Sequence, residues 1–216
     1  YMSMESSTSQ QVAEYLLQIK AIKLKPENPF IWASGWKSPI YCDNRITLSY
    51  PNIRTFLRDA MAKEIKSRYP EVKAIAGVAT GAIGIGMLVA DALDLPFMYV
   101  RPEPKKHGRQ NQIEGSFDPS APTVVVEDLI STGKSSLQAV GALRNKNINV
   151  LGMVALFSYE FDVATKNMQN AGIELTTLSG YNALIDTAIT TNYIAPEQEE
   201  ILKKWREAPQ LWIPKS

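Results

Sequence analysis

The chain has 216 residues, 45% of them hydrophobic, and a net charge of +1, so it can form one domain with a real core but shows no sign of binding nucleic acid. Cys42 is the only cysteine and His107 the only histidine, which excludes an internal disulfide and a His/Cys metal centre. No stretch approaches the ~20 apolar residues of a membrane span, and the N-terminus lacks signal-peptide features, so we expect a cytoplasmic protein without membrane contact.

The predicted elements begin with an amphipathic helix over residues 9–24 and an irregular, aromatic segment over 26–50. Pro51 suits the first turn of a second helix. Strands at 73–78, 96–100, 123–127, 149–157 and 173–178 then alternate with helices at 83–93, 134–146, 160–171, 182–188 and 196–206. This alternation predicts an α/β fold with a doubly wound, mostly parallel five-stranded sheet. Ligands of such sheets bind beyond the carboxyl ends of the strands.

One segment has the pattern of a phosphate site, and it reads Thr123-Val-Val-Val-Glu-Asp-Leu-Ile-Ser-Thr-Gly-Lys-Ser-Ser136. A buried strand is followed by two acids, a turn rich in hydroxyls and glycine, and a helix. The free N–H groups and the dipole at the start of that helix favour an anion. The two acids can hold hydroxyl groups or a hydrated Mg²⁺. A ligand with a sugar diol and a phosphate would satisfy both halves, whereas a solvated strand end with a helix cap is the plain structural alternative.

Two segments partly resemble nucleotide-binding motifs and compete with this interpretation. The ending Gly133-Lys134-Ser135 is that of a Walker A loop, but the glycine required five residues earlier is replaced by Asp128. The segment Gly84-Ile-Gly86-Met-Leu-Val89 lacks the third glycine of a Rossmann fingerprint. Neither motif is therefore expected to bind a nucleotide here.

Residues 101–122 form a stretch of 22 residues without a helix or strand signal. Structureless loops beyond roughly 12–15 residues are uncommon in compact domains and are usually functional or disordered. The stretch carries five cationic or titratable side chains, and a charge run of this kind is usually just a solvated surface. Its position after a strand next to the phosphate site, and its glycines, favour a cationic lid instead. The five side chains are Arg101, Lys105, Lys106, His107 and Arg109.

The segment 123–136 resembles the phosphoribosyl pyrophosphate (PRPP) motif of the type I phosphoribosyltransferases. Three further segments narrow the resemblance to the orotate phosphoribosyltransferase family: residues 34–45 (SGWKSPIYCDNR), 77–83 (GVATGAI) and 99–108 (YVRPEPKKHG), the last resembling the family's mobile catalytic loop. The four motifs occur in family order, and with their flanking helices the resemblance covers nearly the whole chain. It implies a phosphoribosyltransferase fold with a small N-terminal hood and a mobile lid.

The resemblance implies that the chain transfers phosphoribosyl from PRPP to orotate, giving orotidine 5′-monophosphate and pyrophosphate in pyrimidine biosynthesis. Arg101, Lys105, His107 and Asp128 take the catalytic roles, the first three gripping pyrophosphate. Ser131 also reaches orotate, Thr80 and Gly81 lie at the pyrophosphate, and Tyr41 forms a wall for orotate. The PRPP-binding residues are Glu127, Asp128, Leu129, Ile130, Ser131, Thr132, Gly133, Lys134 and Ser135, the two acids holding the ribose hydroxyls.

The resemblance also implies a cofactor and a partner. Mg²⁺ is held largely by PRPP, with Glu127 and Asp128 nearby and no direct protein ligand. A homodimer shares its lid across subunits. The chain departs from some relatives, which carry lysines at the positions of Ala33, Gly81 and Pro102. We expect one domain, with the helix and hood over about 1–50, the α/β core over 51–190 and a C-terminal helix and tail over 191–216.

Three rival functions remain open at the level of the sequence. A purine or uracil phosphoribosyltransferase would share the PRPP half, but the segment 34–41 argues against it. A PRPP-sensing regulator that binds nucleic acid would need a basic face, which a charge of +1 does not support. A plain structural α/β domain would leave the loop cations and the Glu127–Asp128 pair unexplained.

Overall fold

The N-terminal part of the chain forms a helix and a small hood. The structure, a computed structural model, describes residues 4–104 and 111–214. Helix α1 (Met4–Gln18) leads into strand β1 (Ile22–Leu24), which pairs antiparallel with β4 (Ile40–Cys42). Between them, β2 (Phe30–Ile31) and β3 (Lys37–Ser38) form a second antiparallel pair. A 3₁₀ helix (Asn44–Ser49) completes this hood, which spans residues 22–50, and α2 (Pro51–Arg68) follows.

The central sheet lies behind the hood and carries the core. Its parallel strands are β5 (Ala74–Val78), β6 (Phe97–Val100), β8 (Thr123–Ile130), β9 (Val150–Ser158) and β10 (Leu175–Gly180). A two-residue strand, β7 (Ile113–Glu114), adds antiparallel to β6, and the order across the sheet is β10-β9-β8-β5-β6-β7. Along the chain, the parallel strands begin at β5 and continue with β6 on one side of it. The next parallel strand, β8, lies on the other side of β5. This reversal is the topological switch point at which doubly wound sheets bind ligands.

Helices cover both faces of the sheet. They are α3 (Ile83–Leu93), α4 (Lys134–Arg144), α5 (Asp162–Asn170), α6 (Tyr181–Thr190) and α7 (Glu199–Glu207). Helix α2 packs against α1 and α3, whereas α4 packs against α5. Every residue of β5 is buried, as expected of a parallel strand covered on both faces. No helix within the described ranges is long and apolar enough to cross a membrane.

Helix α7 ties the C-terminal part of the chain to the hood. Trp205 is fully buried, and its indole N–H donates to the carbonyl of Lys37 in β3 at 3.2 Å. Its ring packs edge-on against Trp32, with 5.4 Å between the ring centroids. The hood is therefore fastened to the core through aromatic contacts whose two sides are far apart in sequence.

The predicted fold class is confirmed, with three differences that come from additional short strands. The first helix ends at Gln18 rather than at 24, because Ile22–Leu24 pair with β4 instead of continuing the helix. The segment 26–50 is not irregular, since it supplies three short strands and a 3₁₀ helix. The stretch 101–122 contains β7, which extends the five predicted strands to six. Each difference involves strands of two or three residues, too short to show an alternating pattern.

Candidate active site

A cleft of about 360 Å³ opens at the carboxyl ends of β5 and β8. Three parts of the chain line it: the hood at residues 42–45, the segment 78–81 after β5, and residues 127–129 and 131–136 at the end of β8 and the start of α4. These parts include the predicted PRPP motif and the segment of Thr80 and Gly81. The cleft therefore lies at the topological switch point of the sheet.

Strand β8 runs past the end of its neighbour, which opens the crevice. Its pairing with β5 ends at Gly77 opposite Val126, whereas its pairing with β9 continues to Ile130 opposite Ser158. The strand was predicted to end at residue 127, so it is three residues longer than expected. Glu127 and Asp128 are consequently held in extended backbone on the side where β5 no longer covers them.

The Glu127 side chain is 5% exposed and is held from two directions. One carboxylate oxygen accepts the Ser136 hydroxyl at 2.6 Å, and the other accepts the backbone N–H of Asp128 at 2.9 Å. Burial, followed by the neighbouring Asp128 carboxyl, raises the pKa of Glu127 well above its ordinary value. Since a carboxylate has about four acceptor positions, Glu127 keeps capacity for a ligand hydroxyl.

The Asp128 carboxylate lies directly against Gly81. A Cβ atom built on Gly81 would come within 2.6 Å of the Asp128 carboxyl carbon. Only a glycine therefore lets the segment 78–81 approach the acid this closely. The peptide bond between Ala79 and Thr80 in that segment is cis.

The turn after β8 presents the N-terminus of α4 to the cleft. Gly133 precedes the helix with a left-handed φ of +81°, a conformation that glycine adopts without strain. The carbonyl of Thr132 points away and accepts the Asn167 side-chain amide at 2.9 Å. Ser131, Thr132, Gly133, Lys134 and Ser135 all line the cleft. The helix N-terminus and these hydroxyls give the cleft an anion-binding end, which lies next to its acidic end because Glu127 accepts the Ser136 hydroxyl from the first turn of α4.

Comparison with known proteins gives the family. The chain is 53% identical over 201 residues to orotate phosphoribosyltransferase of Porphyromonas gingivalis, covering 93% of this chain and 96% of that protein. It is 56% identical over 200 residues to the protein of that name from Bacteroides thetaiotaomicron, with 93% and 94% covered. The chain belongs to the orotate phosphoribosyltransferase family. No protein-family model matches it.

Solved structures of other orotate phosphoribosyltransferases share the fold. The enzyme of Aeropyrum pernix superposes with a TM-score of 0.72 at 24% identity, over 85% of this chain and 99% of that one. The Mycobacterium tuberculosis enzyme in complex with PRPP gives a TM-score of 0.65 at 20% identity, over 82% of this chain and 98% of that one. At these identities the likeness concerns the architecture of the sheet and its helices.

Cys42, Asp43 and Asn44 of the hood line the cleft of this orotate phosphoribosyltransferase family member, and the sequence assigned none of them a role in the site. Asn44 donates its side-chain amide to the Asp128 carbonyl at 2.7 Å. Asp43 accepts from the Arg45 guanidinium at 2.8 Å, and this hydrogen bond lowers the pKa of Asp43. In the sequence, the motif at 34–45 marked this region, but it did not indicate which of its side chains face the cleft.

The remaining predicted residues lie outside the cleft lining or outside the described part of the chain. Arg101 lies outside the cleft lining, at the start of the segment predicted to form a lid, and its guanidinium pairs with Glu114 at 3.5 Å. Tyr41 is 42% exposed and packs on Phe30, so its ring also lies outside the lining. Ile130, predicted to bind PRPP, is fully buried and lies outside the cleft lining, and its carbonyl accepts the backbone N–H of Tyr159 at 3.1 Å. Lys105 and His107 lie outside the described residues.

Proposed function

We propose that this chain transfers the 5-phosphoribosyl group from PRPP to orotate, giving orotidine 5′-monophosphate and pyrophosphate in de novo pyrimidine biosynthesis. The observation that carries the proposal is identity above 50% over 93% of the chain to proteins named orotate phosphoribosyltransferase. The cleft supports it independently, because its acidic end and its anion-binding end match a ribose diol and a phosphate.

The ribose belongs at the acidic end of the cleft. Asp128 faces the cleft against Gly81, and Glu127 stands beside it, anchored by Ser136. Both carboxyl groups accept hydrogen bonds from the 2′- and 3′-hydroxyls. As pyrophosphate leaves, C1 of the ribose gains positive charge, which nearby carboxylates stabilise. The ring nitrogen of orotate is the nucleophile, so the protein supplies none.

The 5′-phosphate belongs at the start of α4. Leu129 and residues 131–135, with the hydroxyl groups of Ser131, Thr132 and Ser135, line this end of the cleft. Unsatisfied N–H groups at a helix N-terminus bind phosphate through hydrogen bonds and the helix dipole. Ser131 stands between the two ends of the motif, where we also assign it to orotate. Tyr41 remains our candidate for a wall of the orotate site.

Pyrophosphate belongs on the side of residues 79–81. Thr80 and Gly81 line the cleft there, and we assign Arg101, Lys105 and His107 to its phosphates when the lid closes. Closure also excludes water, which would otherwise hydrolyse PRPP.

Mg²⁺ is the cofactor that we assign to the reaction. The described residues contain no group of three or more His, Cys, Asp or Glu that could hold a metal ion. Mg²⁺ keeps several of its waters and binds substrate phosphates, so we assign it to PRPP, with Asp128 and Glu127 nearby and no direct protein ligand. When bound, the ion would neutralise charge developing on pyrophosphate.

We further propose a cytoplasmic homodimer in which the lid of one subunit covers the site of the other. The whole chain acts as one phosphoribosyltransferase domain. The single domain is supported by the packing of α1 against α6 and β10, because the N-terminal helix and the last strand of the sheet then share one core.

The experiment that tests the function is the loss of orotate absorbance on addition of PRPP and Mg²⁺. Uracil, adenine and hypoxanthine serve as competing bases. We expect turnover with orotate alone, and its abolition by excess chelator with recovery on adding Mg²⁺. Turnover of another base in preference to orotate would assign the chain a different substrate, and turnover unaffected by chelator would remove the metal from the mechanism.

A further inference from the structure

The backbone of Asp128 is fixed on both sides by side chains. Its N–H donates to a Glu127 carboxylate oxygen at 2.9 Å. Its carbonyl accepts the Asn44 side-chain amide at 2.7 Å, a contact that joins positions 84 residues apart. The first bond is local to the acidic pair, whereas the second comes from the hood. The hood therefore helps to fix the position of the Asp128 carbonyl group.

Asn44 is itself held in place by its own neighbours. It is 3% exposed, and the Cys42 thiol donates to its side-chain oxygen at 3.1 Å. This contact orients the amide so that its N–H₂ group faces the Asp128 carbonyl. Burial, together with the charges of Asp128 and Asp43, raises the pKa of Cys42, so the thiol stays protonated and able to donate.

We propose that Asn44, oriented by Cys42, is a positioning residue that sets the placement of the Asp128 carboxylate for the ribose of the substrate. The proposal rests on the function proposed above, since it assigns the ribose to Asp128. Gly81 packs against the same carboxylate and leaves it little room, so a small shift of the backbone moves the acid relative to the substrate. Misplacement by about 1 Å costs on the order of 10²-fold in rate.

The alternative is that Asn44 merely stabilises the hood. Thr47 separates the two roles, because it belongs to the same 3₁₀ helix and is 1% exposed. Its hydroxyl donates to the backbone carbonyl of Asn44 at 2.6 Å. Thr47→Val therefore removes a buried hydrogen bond of the hood while leaving the bond between Asn44 and Asp128 available.

The test compares Asn44→Ala and Asn44→Asp with Thr47→Val in the full-length protein. Asn44→Asp keeps the size of the side chain but replaces the donor by a carboxylate, so it covers the case in which the alanine variant fails to fold. We expect kcat/KM for PRPP to fall about tenfold or more in both Asn44 variants. Thr47→Val should lose stability in urea unfolding but keep kcat/KM within about twofold.

Binding measurements locate the effect on the ribose. Ribose 5-phosphate and inorganic phosphate are titrated into each variant by calorimetry. We expect the Asn44 variants to lose several-fold in affinity for ribose 5-phosphate and to keep their affinity for phosphate, because the turn at 131–135 is untouched. Cys42→Ser retains a donor to Asn44 and should lose less activity than Cys42→Ala.

Three results would overturn the proposal: Asn44 variants with unchanged kcat/KM, equal losses in Asn44→Ala and Thr47→Val at matched stability, or a parallel loss of affinity for phosphate. The proposed function fails separately, since a native chain that does not turn over PRPP and orotate would show this before any variant is made.

Discussion

Two regions of the cleft contrast in how their structure is encoded. The β8–turn–α4 segment, residues 123–144, carries its chemistry in consecutive residues, and its key contacts are local, such as Ser136 to Glu127. The hood, residues 22–50, supplies Cys42 to Arg45 to the same cleft through contacts that reach across the chain, such as Asn44 to Asp128. A local motif can be recognised from sequence, whereas a distant wall becomes visible only when the fold brings it close.

The contrast also divides the expected energetics. We assign residues of the local segment to direct contact with the substrate, so their loss should reduce catalysis directly. Hood residues act through packing and backbone position, so their loss should change activity less for a comparable loss of stability. The following variants test this division.

The largest effect is expected from Asp128→Asn. The change removes the negative charge at the ribose while keeping the size of the side chain, and we expect kcat/KM to fall by about 10² or more. Asp59→Asn, at an exposed position of α2, is the matched control and should retain full activity. An Asp128→Asn protein with a native circular dichroism spectrum and native activity would remove this acid from the site.

Gly81→Ala should have the next largest effect. The new methyl group would meet the Asp128 carboxyl carbon at 2.6 Å, so either the loop or the acid must move. We expect kcat/KM to fall about tenfold, with a stability loss of about 1–3 kcal/mol.

Gly141→Ala is the control for this change, because nothing lies within 4 Å of the added atom in helix α4. It should stabilise the protein by about 0.4–1 kcal/mol and leave kinetics unchanged. If the two alanine variants behave alike in urea unfolding and in the orotate assay, the close approach of Gly81 to Asp128 has no functional weight.

Glu127→Gln should change the pH dependence of stability. The raised pKa of Glu127 means that the folded chain binds this proton more tightly than the unfolded chain. Its contribution to stability is therefore present at low pH and is lost as pH rises above the unfolded value of about 4.3 towards the folded one. Glutamine does not ionise, so the stability of Glu127→Gln relative to the native protein should increase between about pH 4 and pH 8.

Urea unfolding of both proteins at a series of pH values measures this difference. A difference that stays constant across the range would mean that Glu127 ionises as easily in the folded chain as in the unfolded one. Activity of Glu127→Gln should fall less than that of Asp128→Asn, because two acceptor positions of Glu127 are already taken by the Ser136 hydroxyl and the Asp128 N–H.

The smallest effect is expected from Tyr41→Ala. The ring is 42% exposed and packs on Phe30 outside the cleft lining, so we expect KM for orotate to rise only about twofold. Initial rates at varied orotate concentration check this. A rise of tenfold or more would show that Tyr41 reaches the base directly and would make the hood a binding element on a par with β8.

The parallel sheet, the alternation of its strands with helices and the phosphate-type turn could be predicted from the sequence. The sheet follows from buried strands that alternate with helices, and the turn follows from residues that are adjacent in the chain. Glu127, Asp128 and residues 131–135 were predicted for this reason, and all line the cleft. The roles assigned to Arg101, Lys105 and His107 remain predictions.

Three features depend on tertiary contacts and could not be predicted from the sequence. Strand β8 continues to Ile130, Ile22–Leu24 form a strand instead of extending the first helix, and Asn44 faces the Asp128 carbonyl. The pairing of β8 with β9 and of β1 with β4 supplies backbone hydrogen-bond partners, which the strand propensity of the local residues does not predict. The Asn44 amide finds its acceptor 84 residues away. A short strand or a single buried amide gains its free energy from such a partner, and a sequence pattern read along the chain does not reveal which partner the fold will bring.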